Sequence, residues 1–185
     1  MAEKSHPHPI KKFVWDHARD ACANAAQDGR FDILKWLREK GCPWSYCTVE
    51  GAAKSGSVEI LEWVLEHGCD WSPRTYAFAA QREHYDIITW LKKNNYKYDE
   101  MVCAHAALLG HLDMLKWLRS EGFPWDEQTC EYALTFGHLD VLIWARENGC
   151  PWDSRVWYFL SSDKCSNKEE IRQWLIENNC PTETE

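Results

Sequence analysis

The stretch Gly110-His111-Leu112-Asp113-Met114-Leu115-Lys116-Trp117-Leu118-Arg119-Ser120-Glu121-Gly122-Phe123-Pro124-Trp125-Asp126 decides how this chain folds. Between its two glycines, apolar residues stand at 112, 114, 115, 117 and 118, the three-and-four spacing of a helix with one wide apolar face. Lys116, Arg119 and Glu121 make up the solvent side. Gly122 supplies the left-handed conformation that stops a helix, and Pro124 keeps the chain from resuming it.

The same sentence is written several times over. Trp36, Trp63, Trp90, Trp117 and Trp144 are each 27 residues apart. Trp44, Trp71, Tyr98, Trp125 and Trp152 keep that step, as do Gly41, Gly68, Asn95, Gly122 and Gly149. A fourth column pairs small residues: Ala25-Ala26, Ala52-Ala53, Ala79-Ala80, Ala106-Ala107 and Ala133-Leu134. Six units follow, the sixth carrying a three-residue insertion that moves its Trp to Trp174 and its turn to Asn179. Such self-similarity is the mark of stacked repeats.

Each unit holds a second, earlier helix. Ser45, Ser72, Asp99, Asp126 and Asp153 form one column of N-cap residues, whose side-chain oxygens accept from free N–H groups of a first turn. The aromatic residue just before the cap and Val49, Tyr76, Cys103, Cys130 or Trp157 at the fourth helical position make a hydrophobic staple. The helix runs through the Ala pair, where a neighbour can approach closely, and stops at Gly29, Gly56, Gly110 or Gly137. The third unit has Glu83 at that stop, and a non-Gly residue there costs about 1 kcal/mol or more unless the turn changes shape.

The fold class is therefore all-α, a solenoid of six helix-turn-helix repeats. A pair of short helices cannot bury its own apolar face, so stacking must supply the core. The array is expected over 13–182, with units at roughly 16–42, 45–68, 72–95, 99–122, 126–149 and 153–180, and tails at 1–12 and 183–185. Phe13 and Trp15 would cover the first unit. Arg172 and Thr182 put polar residues in formerly apolar columns, so both ends read as caps and the array as complete. The 161–168 stretch holds the insertion and should be a loop. The 12 Trp look like the main source of burial, and Trp117→Ala should cost on the order of 3–5 kcal/mol.

Composition excludes several classes. The 185 residues carry 21 Lys+Arg against 29 Asp+Glu, a net charge of −8, the wrong sign for a phosphate-backbone binder. No apolar run reaches the ~18 residues of a membrane span, and the N-terminus lacks a signal peptide, so an intracellular protein is expected. Nine Cys is an odd count with no C-x-x-C spacing; most fall in shared columns and read as small packed hydrophobes rather than metal ligands. His84, His111 and His138 precede the second helices and read as hydrogen-bonded turn residues, while His6 and His8 lie in a Pro-punctuated tail. There is no phosphate loop, HExxH or nucleophilic triad, so neither an enzyme nor a cofactor is indicated.

The residues from Gly110 to Leu118 resemble the second half of an ankyrin repeat, and Thr75 to Ala80 resembles the Thr-Pro-Leu-His-x-Ala-Ala start of its first helix. The period of 27 is shorter than the usual 33, with the missing residues falling between Trp125 and Thr129, where the family has its β-hairpin fingers. The repeat is similar to the short, Trp-rich ankyrin repeats of giant DNA viruses and some protists. What the resemblance implies is a binding scaffold that recognises a partner protein through the concave face lined by the first helices; a monomer is expected.

The columns that vary from unit to unit locate that face. Before the Ala pair stand Asn24, Gly51, Phe78, His105, Tyr132 and Phe159. After it come Gln27-Asp28, Lys54-Ser55, Gln81-Arg82, Leu108-Leu109 and Thr135-Phe136. From the third unit on they turn apolar and aromatic, the composition of interface hot spots. A groove using Phe78, Arg82, His105, Leu108, Leu109, Tyr132 and Phe136 is expected; the alternative is that these side chains pack against neighbouring repeats. Rival functions are a metal- or thiol-dependent protein, an adaptor of a ubiquitin ligase, and self-assembly. The third unit also departs at Asn94-Asn95-Tyr96-Lys97-Tyr98, in place of a Gly-Cys-Pro-Trp turn, which marks either drift or a recognition feature.

Overall fold

A computed structural model describes residues 20–160, 165 and 167–180. The expected cover by Phe13 and Trp15, the tails, Thr182 and most of the insertion loop lie outside the described residues. Among those described there are twelve helices and no strand, so the all-α expectation holds and no β-hairpin is formed. The chain divides into two compact units, Met1–Ser72 and Pro73–Glu185.

The first unit contains α1 (Ala21–Gln27), α2 (Phe31–Glu39), α3 (Tyr46–Ser55) and α4 (Val58–Glu66). Helices α1 and α3 pack against each other, with Cys22, Ala25, Ala26, Val49, Ala52 and Ala53 buried. Small residues allow this. A Cβ on Gly51 would lie 2.5 Å from the Ala23 carbonyl oxygen, so no larger residue fits without moving backbone. Ser45 caps α3 by accepting from the Cys47 N–H at 3.3 Å. Ser72 takes another role: its hydroxyl donates to the buried Glu50 carboxylate at 3.1 Å. A buried carboxylate needs such a donor, and the helix that follows begins at Arg74.

The second unit contains α5 (Arg74–Gln81), α6 (Tyr85–Lys93), α7 (Met101–Leu108), α8 (Leu112–Ser120), α9 (Glu127–Thr135), α10 (Leu139–Glu147), α11 (Arg155–Phe159) and α12 (Lys168–Glu177). The first helices form one layer, α7 lying between α5 and α9, and α11 against α9; α6, α8 and α10 each pack on the first helix of their own repeat. Asp126 caps α9 through the Gln128 N–H at 3.1 Å. Asp99 and Asp153 accept from the N–H two residues on, of Met101 and Arg155, yet α7 and α11 begin after Glu100 and Ser154. The cap contact survives while the helix starts later.

The second helices all end alike. In α8 the Phe123 N–H donates to Leu118 and the Gly122 N–H to Arg119, at 3.0 and 3.1 Å, the Schellman arrangement. Glu83 and Asn95 adopt the left-handed conformation where other repeats use Gly, with φ of 56° and 60°. The turn at Glu83 therefore keeps its shape and carries the strain of a side chain there.

The tryptophans are not where burial alone would put them. Among the described residues every Trp is half-buried except Trp36, which is 54% exposed. The closed core is mostly Ala, Leu, Ile, Val and Cys, with Tyr76, Met114 and Phe123 also fully buried. The Trp rings lie instead along the edge where repeats meet, in edge-to-face pairs: Trp44–Trp63 at 5.7 Å, Trp125–Trp144 at 5.8 Å and Trp152–Trp174 at 5.7 Å. Their contribution combines partial burial with about 0.5–1.5 kcal/mol of ring–ring contact each, so Trp117→Ala belongs below the fully buried range.

Candidate functional site

The layer of first helices in the second unit carries the variable columns. On α5, α7 and α9 the Ala pairs and their neighbours face inward: Ala79, Ala80, Ala106, Ala107, Ala133 and Leu134 are all fully buried. The residue before each pair is turned partly outward. Phe78, His105 and Tyr132 are half-buried, and so are Leu108 and Phe136. Arg82 is exposed and Leu109 is 45% exposed. Arg82, Leu109 and Phe136 occupy one position, the C-cap of their respective helices, with the following residue left-handed in each repeat.

Specific contacts join part of this set. The amide of Gln81 donates to His105 Nδ1 at 2.6 Å, and the His105 ring meets the Tyr132 ring edge-on with centroids 6.1 Å apart. The arginine fork of Arg74 lies 5.2 Å from the Phe78 ring. With Nδ1 accepting, the imidazole is neutral. Burial, then the nearby Arg74 charge, push the His105 pKa below its ordinary value, with Asp99 acting weakly in the other sense. His105 thus bridges two repeats, while Arg82 and Leu109 stand at the rim. Gln81 and Arg74 were not singled out by sequence. Gln81 shares a column with Leu108, and Arg74 stands one turn before Phe78, so the 27-residue register and helical spacing hold the signal for both.

The junction histidines are structural. His111 Nε2 donates to the Gln81 carbonyl at 3.0 Å and His138 Nε2 to the Leu108 carbonyl at 3.1 Å, tying each second helix to the preceding repeat. His111 Nδ1 also lies 3.4 Å from Glu83 Oε2. Among the described residues no group of three or more His, Cys, Asp or Glu side chains is arranged to hold a metal ion, and no helix is long and apolar enough to cross a membrane. The nine cysteines are free thiols, eight of them buried.

Residues 103–146 match the family model for ankyrin repeats (many copies). The crystal structure of the human ASB11 ankyrin repeat domain is similar at 17% identity with a TM-score of 0.53, covering 86% of this chain and 97% of that one. The pentatricopeptide repeat protein PPR10, solved with an 18-nt psaJ RNA element, aligns at 12% identity over 97% of this chain and 34% of that one, with a TM-score of 0.39. No curated protein matches the sequence. The likeness to the ASB11 domain shows the fold, that of an ankyrin-repeat solenoid. Ankyrin repeats are in general protein–protein interaction modules.

Proposed function

We propose that this protein is a non-catalytic, monomeric scaffold that binds a partner protein through the first-helix face of its second unit. That face corresponds to the concave face in the ankyrin resemblance. Phe78, Arg82, His105, Leu108, Leu109, Tyr132 and Phe136 make the contact, with neither cofactor nor metal. One observation carries the reading: the columns that differ most between repeats hold half-exposed aromatic and aliphatic side chains beside fully buried alanines. Repeats that packed only on each other would have no use for an aromatic rim facing outward. The Gln81–His105–Tyr132 chain holds those rings in place before a partner arrives, which lowers the ordering cost of binding. The short Trp-rich period resembles arrays of giant DNA viruses and some protists, so proteins of a host cytoplasm are the first candidates.

The test is capture from cell lysate by the wild type beside a Phe78→Ala/Tyr132→Ala double variant, with thermal melts showing both folded. A protein retained by the first and lost by the second supports the reading. Identical captures would move the site elsewhere. A melting temperature lowered by chelator would favour a metal-dependent protein instead.

A further inference from the structure

Three repeats close their turn with the same device. The guanidinium of Arg38, Arg119 or Arg146 lies over the Trp six residues on, at 3.8 Å from Trp44, 4.2 Å from Trp125 and 4.1 Å from Trp152. The same group donates to the carbonyl four residues on, of Cys42, Phe123 or Cys150. A planar fork can lie flat on a ring and donate in its own plane at once; an ammonium has no such plane. The third repeat has Lys92 in the Arg column and Tyr98 in the Trp column. Lys92 turns away to the next repeat, donating to the Glu121 carbonyl at 2.5 Å and carboxylate at 3.0 Å. Tyr98 is left 37% exposed. Between them opens a hollow of about 510 Å³ lined by Lys92, Asn95, Tyr96, Lys97 and Tyr98.

Aromatic contacts fix the lining of this open hollow. Tyr96 stacks on Trp90 at 5.9 Å, and its backbone carbonyl accepts from the Tyr76 hydroxyl at 3.1 Å. Tyr98 packs against Tyr76 and Phe123, with centroids 5.6 and 4.4 Å away. Lys97 stands in the column of Pro43, Asp70, Pro124 and Pro151, is exposed, and makes no ion pair among the described residues; Lys93 too is exposed and makes none. Asp99 is tied into the start of α7. Lys92, Lys93 and Lys97 stand together at this turn in a chain of net charge −8, Lys92 being paired with Glu121. The repeats at 45–71 and 99–125 carry −4 and −2.

We infer that this hollow is a second binding site, one that takes a short carboxylate-rich segment of a partner protein. Lys97, in the lining, supplies the charge, with Lys93 next to Lys92 in the chain; the Asn95 amide and tyrosine hydroxyls supply hydrogen bonds. The acidic repeat at 99–125 disfavours a long polyanion such as nucleic acid, whose charges would extend onto it, and leaves room for a segment of a few residues. The site is separate from the first-helix face and does not depend on it.

The test is fluorescence anisotropy with a fluorescein-labelled hexaglutamate peptide, beside hexalysine and a single-stranded oligonucleotide. Wild type should bind hexaglutamate saturably and more weakly as salt rises. Lys97→Glu should lose at least tenfold. Lys92→Arg/Tyr98→Trp restores the closing device at unchanged charge and should also lose at least tenfold, with a melting temperature no lower than wild type. Phe78→Ala/Tyr132→Ala should bind the peptide as wild type does. No saturable binding, equal binding by Lys97→Glu and the closing variant, loss in the Phe78/Tyr132 variant, or an oligonucleotide bound as tightly would each overturn the proposal.

Discussion

His138 Nε2 donates to the carbonyl of Leu108, thirty residues earlier, while the opposite edge of its ring rests where a side chain on Gly110 would be. A Cβ there would stand 2.6 Å from His138 Nδ1, and Gly110 has φ of 75°. The repeat-to-repeat bond and the helix stop thus depend on each other. Gly110→Ala should cost on the order of 2–3 kcal/mol from left-handed strain and displaced imidazole together. His138→Ala should cost about 1–2 kcal/mol, leaving the Leu108 carbonyl short of a donor. The second change should cost measurably less when made on top of the first, by urea denaturation of the four proteins. Strict additivity would mean that the imidazole is not the obstacle.

Glu83 takes the strained position that Gly fills in neighbouring repeats. Glu83→Gly should raise stability by about 1 kcal/mol, since the exposed contact with His111 is worth little in return. A higher melting temperature checks this; a lower one would mean the carboxylate matters more than the backbone.

How far these features were legible differs by kind. The period, both helices and the stops at Gly110 and Gly122 follow from spacing, because a helix writes its apolar face into local sequence and a left-handed residue is nearly restricted to Gly and Asn. The same logic marks Glu83 as the exception in its column. Trp117 was legible as a contact residue but not as a half-exposed one, since sequence tells that a ring packs and not how much of it water still reaches. The tie of Ser72 to Glu50 joins residues 22 apart, which no local pattern records. The Gln81–His105 bond is of the same long-range kind. Lys92 stood in plain view as an odd member of its column, but the hollow needed the Arg119–Trp125 geometry for comparison.

His105 gives the stability curve a defined sign. Its folded pKa lies below the ordinary 6.5, with burial the main cause. As pH falls through 6.5 the unfolded chain takes up a proton before the folded one does, so folded stability drops. The contribution is fully present above that value and is lost on the acid side until the folded pKa is passed. His105→Gln should flatten the loss between neutral pH and pH 5, read as denaturation midpoints at matched pH. An unchanged slope would assign the acid sensitivity elsewhere.

Arg119 should resist its conservative replacement. Arg119→Lys keeps the charge but loses the planar fork that lies on the Trp125 ring while donating to the Phe123 carbonyl. A loss of about 1 kcal/mol is expected, with Trp125 fluorescence moving to the red as water reaches the ring. The Lys92→Arg/Tyr98→Trp variant should show the reverse, a blue-shifted added Trp.

The cysteines should be inert in the folded protein, with one exception. Burial pushes the Cys22 and Cys103 thiols up to about 12 and Cys69 and Cys180 to about 11, so almost none of them is thiolate near neutral pH. Cys130 is raised as well, first by its contact with the Cys150 thiol and then by burial. Cys47 alone is half-exposed. An aromatic disulfide reagent at pH 8 should therefore release one equivalent quickly, and the rest of the nine only as fast as the helices open or at once in guanidinium. Cys47→Ser should abolish the fast phase. Three or more fast thiols would contradict the packed-hydrophobe reading and revive a thiol chemistry for this chain.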